Sequence, residues 1–163
     1  MEVIVFVGLQ GAGKSTFYQR YFAETYAHIS KDNFPNARDR NAHQQKLLRE
    51  NLTRHQSVVI DNTNTRVQDR APLIEIAHSF GAKVLCYYFV SSVRESLVRN
   101  RARAGKARVA DVAIFVAAKR LEEPTYAEGF DKIFHAKIEG EGFKITEIEQ
   151  SGDGQTSPRA RGG

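Results

Sequence analysis

One cysteine, Cys86, stands in the 163 residues of the sequence. A single cysteine excludes an internal disulfide, and a reducing compartment is the simple expectation. Within the apolar run "KVLCYYFV" it reads as a small core residue. The apolar runs are all too short to span a bilayer, so no membrane partner is expected. The N-terminus has no basic n-region; Glu2 follows the first residue, and the apolar run flows straight into a glycine loop. The chain is therefore expected to be unsecreted, in the cytoplasm or, in a eukaryote, the nucleus. There is no internal repeat. Residues 151–163, "SGDGQTSPRARGG", hold no bulky apolar side chain and are expected to form a disordered tail. Residues 1–150 fit one domain, with an ordinary 41% hydrophobic content for the chain.

The chain carries 24 Lys and Arg against 19 Asp and Glu, a net charge of +5. That mild surplus suits a polyanionic partner without requiring one. Its distribution is more informative. Between Arg94 and Arg108 stand Arg94, Arg99, Arg101, Arg103, Lys106 and Arg108, opposed by Glu95 alone.

Short apolar runs alternate with amphipathic stretches. Strands are expected at 3–7, 28–30, 57–60, 83–90, 131–138 and 143–149. Helices are expected at 15–24, 42–56, 69–80, 91–105 and 109–121. Strand-helix alternation of this kind is the pattern of an α/β protein whose parallel sheet is covered on both faces.

"GLQGAGKS", residues 8–15, matches the Gly-x-x-x-x-Gly-Lys-Ser phosphate loop in full. A buried strand precedes it and a helix follows. Gly8, Gly11 and Gly13 let the backbone fold tightly, so that successive N–H groups of the loop, Ala12 included, point at phosphate oxygens. The helix start at Lys14, Ser15 and Thr16 adds free N–H groups and a favourable dipole. Lys14 brings a mobile charge to the outer phosphates, and the Ser15 hydroxyl is placed to ligate Mg²⁺. A glycine-rich turn with a chance Lys-Ser is the alternative, which the strand and helix on either side disfavour. The motif implies ATP, or another nucleoside triphosphate, with Mg²⁺. It leaves the destination of the phosphate open.

"HISKDNF" puts Asp32 just after a short strand, where ligand-lining loops emerge from a parallel sheet. A carboxylate there can orient an acceptor hydroxyl and take its proton; the alternative is a turn cap. "VVIDNTN" ends a buried strand with Asp61, a Walker-B-like carboxylate near Mg²⁺ or the acceptor. Asn62 and Asn64 beside it suit a turn that also touches ligand. "LVRNRARAGKARV" is read either as a solvated basic face or as a lid whose arginines neutralise a transferring phosphoryl group. Arg99 and Arg103, four apart, are expected on one helix face, with Arg101 pointing elsewhere.

"GLQGAGKSTF", "HISKDNF", "VVIDNTN", "RNRAR" and "EEPTYAEGFDKI" occur in this order. Together they resemble the 5′-kinase domain of the polynucleotide kinase family, in particular that of polynucleotide kinase/3′-phosphatases, over Val3 to Ile138. The Glu-x-Pro-Thr-x-x-Glu-Gly-Phe string at 122–130 is the most specific part. The resemblance implies a three-layer P-loop kinase fold with a central, mainly parallel five-stranded sheet, helices on both faces and an arginine-bearing helical lid. It implies ATP- and Mg²⁺-dependent transfer of the γ-phosphate to the 5′-hydroxyl of DNA or RNA. By the same resemblance Asp32 is the base, Lys14 and Ser15 hold phosphates and Mg²⁺, and Arg103, with Arg99 behind it, contacts the transferred phosphate. Asp61 helps place the acceptor. Lys31, Arg38, Arg40, Arg66 and Arg70 are the candidates for contacts to the acceptor backbone.

Two departures stand out. Pro35 occupies the position, three residues after the base, where phage and bacterial members carry an acceptor-binding Arg. The phosphatase signature Asp-x-Asp-Gly-Thr is absent from this sequence. Kinases of small metabolites, of the gluconate-kinase or zeta-type sugar-nucleotide kind, share the first three landmarks and form the alternative expectation. A non-enzymatic ATP-binding module is a third, disfavoured by the joint presence of a base and a lid arginine.

Overall fold

The computed structural model describes residues 1–151 and 156–159. Seven strands form one sheet in the order β2-β3-β1-β4-β5-β6-β7. The strands are β1 (Glu2–Val7), β2 (Ala27–Ile29), β3 (Val58–Ile60), β4 (Lys83–Phe89), β5 (Lys132–Glu139), β6 (Gly142–Gln150) and β7 (Thr156–Arg159). Five helices connect them: α1 (Lys14–Tyr21), α2 (Arg40–Thr53), α3 (Val67–Ser79), α4 (Val93–Ala102) and α5 (Asp111–Arg120).

The first five strands in the order, β2-β3-β1-β4-β5, are all parallel. The sheet then continues antiparallel through β6, where a strand was expected at 143–149, and β7, giving two strands more than the five-stranded sheet that the resemblance implies. β6 must run back because only Gly140 and Glu141 separate it from β5, and a parallel return needs a long crossover. β7 falls in the segment expected to be disordered; residues 152–155 and 160–163 of that segment lie outside the described residues. β7 is an edge strand, where Pro158 can be accommodated.

β1 explains the layering. Its side chains alternate between the two faces, as the period of a strand requires. Val3, Val5 and Val7 join a core with Leu48 and Leu52 of α2 and Leu73 and Ile74 of α3. Ile4 and Phe6 join the opposite core with Phe17 and Tyr18 of α1 and Phe89 of β4. A strand buried on both sides must be apolar at every position, which is why "VIVFV" is unbroken. Cys86 of β4 is fully buried in the first core, and burial pushes its thiol pKa well up. A third, smaller core places Leu9 of the glycine loop against Ile114 and Ala117 of α5.

β1 lies between β3 and β4, where the sheet's order reverses. Loops leaving neighbouring strand ends diverge at such a point and open a crevice for ligand. The segments after β1, β2 and β3 all emerge at that end of the sheet. Among the described residues no helix is long and apolar enough to cross a membrane.

Candidate active site

The glycine loop is held from both sides. The Gly8 N–H donates to the Thr63 carbonyl at 3.0 Å, tying the loop to the turn after β3. Gly11 has φ +78°, and a Cβ there would sit 2.7 Å from the Ser96 carbonyl oxygen of α4. Only glycine fits that approach. α1 begins at Lys14, so its first-turn N–H groups have no intrahelical acceptor and face the crevice. Lys14 is only 7% exposed, and its ammonium donates to the Gly8 and Leu9 carbonyls at 2.9 and 2.6 Å. Burial pushes its pKa down to about 8; Asp61 opposes the shift, Arg103 adds to it and Asp32 opposes it.

Asp61 follows β3 and is 5% exposed. Its Oδ2 accepts from the Ser15 hydroxyl at 3.0 Å and lies 2.9 Å from His28 Nε2. The His28 ring stacks on Tyr18 at 4.1 Å. Ser15 and Asp61 thus present two hard oxygen ligands side by side at the mouth of the loop. They fit Mg²⁺, which takes one or two protein oxygens and fills the rest of its shell with phosphate and water. Among the described residues no cluster of three His, Cys, Asp or Glu would hold a metal alone.

Asp32 sits in a single 3-10 turn, Lys31–Asn33, after β2. Ser30 caps that turn by accepting from the Asp32 N–H at 3.3 Å, so the Asp32 side chain is not the cap. Its carboxylate makes no hydrogen bond or ion pair among the described residues and lies exposed in the crevice. Asn62 holds this turn in place. Its Oδ1 accepts from the Lys31 N–H at 2.9 Å, and its Nδ2 donates to Gln44 Oε1 at 2.6 Å. Asn64, at φ +44°, is buried and donates to the Phe6 carbonyl at 2.8 Å. Both asparagines brace the floor of the site.

The arginine segment is an excursion closed at its base. Asn100, fully buried, donates to the Val109 carbonyl at 2.7 Å and accepts from the Val109 N–H at 2.9 Å. α4 ends at Ala102, so Arg103 does not share a helix face with Arg99. It is the C-cap, in an extended conformation, and lines the crevice near Lys14. Arg99 is half-buried and does not line the crevice. Arg101 pairs with Asp111 at 3.0 Å, out on the surface.

Arg70 requires a correction. It is fully buried and does not reach the crevice. Its guanidinium is bidentate on Glu128 at 2.7 and 2.9 Å and also donates to the Asn64, Thr65 and Glu122 carbonyls. Much of "EEPTYAEGF" is therefore a brace beneath the turn after β3, with Phe130 in the core. Arg66 lines the crevice but is paired with Asp69 at 3.3 Å. Lys31 and Arg40 line the crevice, whereas Arg38 lies in a depression adjoining it.

The crevice encloses about 470 Å³. Lys14, Lys31, Arg40, Arg66, Arg103, Lys106 and Arg120 line it, against Asp32, Asp61 and Asp69. Such a surplus suits a polyanion. His28, Gln44 and Arg120 were not legible as site residues. His28 lay within a strand too short to show a pattern, and Gln44 and Arg120 read as ordinary polar positions on helices.

The AAA domain family matches residues 3–124. The chain is 28% identical over 139 residues to a bifunctional polynucleotide phosphatase/kinase from Schizosaccharomyces pombe, covering 81% of this chain and 32% of that protein. It is 31% identical over 142 residues to a putative bifunctional polynucleotide phosphatase/kinase from Acanthamoeba polyphaga mimivirus, again covering 81% and 32%. The chain thus spans about a third of the length of these curated relatives. A fungal RNA kinase shares the fold with a TM-score of 0.64 at 16% identity, over 84% of this chain and 38% of that one. A gluconokinase from Sinorhizobium meliloti shares it with a TM-score of 0.58 at 20% identity, over 83% and 81%. At such identities the two structures speak for the fold alone. The chain belongs to the AAA domain family, has a P-loop kinase fold, and resembles in sequence the polynucleotide phosphatase/kinases.

Proposed function

We propose that the protein is a polynucleotide 5′-hydroxyl kinase that uses ATP and Mg²⁺. The observation that carries the reading is the position of Asp32. An open carboxylate, with no hydrogen-bond donor among the described residues, shares one crevice with Lys14, Ser15 and Asp61. The polynucleotide phosphatase/kinase names of the sequence relatives support a nucleic-acid acceptor.

In this reading the glycine loop and the α1 N-terminus hold the β- and γ-phosphates. Ser15 and Asp61 would hold Mg²⁺, which when bound would neutralise phosphate charge. Asp32 accepts the proton of the 5′-hydroxyl as its oxygen bonds to the γ-phosphorus in line. The bond from that phosphorus to the β,γ-bridging oxygen breaks, and ADP leaves. Lys14 and Arg103 stabilise the charge on the moving phosphoryl group. Lys31, Arg40 and Arg66, which line the crevice, are in this reading the contacts to the acceptor's phosphates, which would position a strand without reading its sequence.

A small-metabolite acceptor is the competing reading, and Pro35 in place of an acceptor-binding Arg speaks for it. Salt separates the two. Binding of a polynucleotide weakens steeply with ionic strength through counterion release, and binding of a neutral metabolite does not. The deciding experiment is labelled phosphate transfer from ATP to a 5′-OH oligonucleotide, beside mononucleotides and sugars.

A further inference from the structure

The crevice does not end at Asp32. Lys31, Arg40 and Asn41 wall it and also wall an adjoining depression with Arg38 and Asp39. Arg38 and Asp39 in turn border a hollow containing Phe34, His43 and Lys46. Ala42 and Lys46 lead from there along α2 past Arg49 to Arg54. Shared lining residues therefore link these shallow depressions from the candidate base to the far end of α2.

Lys46, Arg49 and Thr53 recur at helical spacing on the solvent face of α2, while Gln44, Leu48 and Leu52 face inward. Arg49 and Arg54 have no ion-pair partner among the described residues. Lys46 has only an exposed contact with Glu50 at 3.9 Å. Asp39 is engaged as the helix cap, accepting from the Ala42 N–H at 3.0 Å.

Helix stability does not account for this charge. Cations near a helix C-terminus are favourable, and that covers Arg54 and part of Arg49. At the N-terminus the dipole favours acids, yet the first turn of α2 has none and begins with Arg40. Arg38 and Arg40 stand where folding alone would choose otherwise. The hollow also contains an aromatic pair, Phe34 and His43, in edge contact at 4.6 Å. Aromatic faces beside a basic groove are how single strands are held without sequence preference.

We infer that this surface, from Arg38 along α2 to Arg54, is the track on which a nucleic-acid strand runs away from its reacting 5′ end. The inference rests on the reading that Asp32 faces that 5′ end. It adds that the acceptor is a polynucleotide engaged over several phosphates, not a mononucleotide. α2 has 14 residues. That is about 20 Å of helix, comparable to roughly six nucleotides at the duplex rise of ~3.4 Å per strand.

The test is fluorescence anisotropy with a 5′-OH dinucleotide and a 5′-OH dodecamer, without ATP, across a salt series. The wild-type protein is expected to bind the dodecamer more tightly. Joint substitution K46E/R49E is expected to weaken dodecamer binding about tenfold, collapse the dodecamer-to-dinucleotide ratio and lower the salt slope by about one to two. K46A/R49A should give a smaller change in the same direction, with circular dichroism checking that both variants keep their helix. An unchanged ratio and slope in both variants would overturn the track. Phosphate transfer is scored separately. A length effect lost in the variants, with no transfer to any 5′ end, leaves α2 as a strand-binding surface and removes the kinase reading together with the 5′-end assignment. Transfer with an unaltered length ratio does the reverse.

Discussion

His28 holds Asp61. The Nε2 of His28 lies 2.9 Å from Asp61 Oδ2, the same oxygen that accepts from the Ser15 hydroxyl. A carboxylate can only accept, so this nitrogen carries the proton. Tyr18 stacked on the ring keeps the imidazole from rotating away. The pair fixes one carboxylate oxygen beside the candidate Mg²⁺ ligand. Outer-sphere partners of this kind are worth ~10–100-fold in metal affinity or activity. His28→Ala is expected to raise the Mg²⁺ concentration for half-maximal turnover by about tenfold. His28→Gln, which keeps a donor, should recover part of it. A Mg²⁺ titration of initial rates checks this, and equal curves for wild type and His28→Ala would remove His28 from the site.

Arg103 and Arg101 are two residues apart and should behave oppositely. Arg103 lines the crevice near Lys14, while Arg101 pairs with Asp111 on the surface. An arginine placed on a transferring phosphoryl group contributes ~10³–10⁵ in rate. Arg103→Ala should lower kcat by about 10³-fold, and Arg101→Ala by less than about twofold, since exposed pairs contribute little. Steady-state kinetics at saturating ATP read the difference.

Arg70→Met should act on stability. It leaves Glu128, whose side chain is 5% exposed, without its partner, and strips a donor from three carbonyls. Breaking a buried pair in this way costs ~3–5 kcal/mol. A fall in Tm of about 10 °C is expected by calorimetry. A variant with unchanged Tm but weakened acceptor binding would restore Arg70 to the substrate-contacting set.

Lys14 predicts a pH signature of nucleotide binding. Burial holds its pKa near 8 in the free protein, and bound phosphate must raise it by adding negative charge. A pKa raised on binding gives an affinity that is full below the free-state value and falls as pH climbs through it. ATP affinity should therefore be flat below pH 8 and decline above it, with proton uptake on binding. Calorimetry in buffers of different ionisation enthalpy measures the uptake. Lys14→Arg, which stays charged, should abolish it.

These contrasts show where the sequence was readable. The glycine loop, Asp32 and Asp61 announce themselves because each follows an apolar strand, and their chemistry demands few residue types. The sequence points to Arg103 as a phosphate contact but puts it on a helix face with Arg99, whereas it is the extended C-cap lining the crevice. Helix ends are uncertain by a residue or two, and Arg103 falls just past the last helical residue. Arg70 reads in sequence as an acceptor contact because a basic residue on an amphipathic helix looks solvated, and its partner Glu128 stands 58 residues away. His28 gave no signal because its meaning lies in β2 and β3 pairing side by side, which brings it to Asp61. The antiparallel direction of β6 follows from its two-residue connection to β5, and the strand without a signal is β7, whose segment holds no bulky apolar side chain.

The central claim is that Asp32 delivers a nucleic-acid 5′-hydroxyl to the γ-phosphate of ATP. Its most direct test is labelled transfer from ATP to a 5′-OH oligonucleotide by the wild-type protein and by Asp32→Asn, with gluconate and mononucleotides in parallel. The expected result is labelled oligonucleotide with the wild type, a loss of about 10²–10⁴-fold with Asp32→Asn at unchanged ATP affinity, and no labelled sugar. Labelled sugar without labelled oligonucleotide, or full activity in Asp32→Asn, would contradict it.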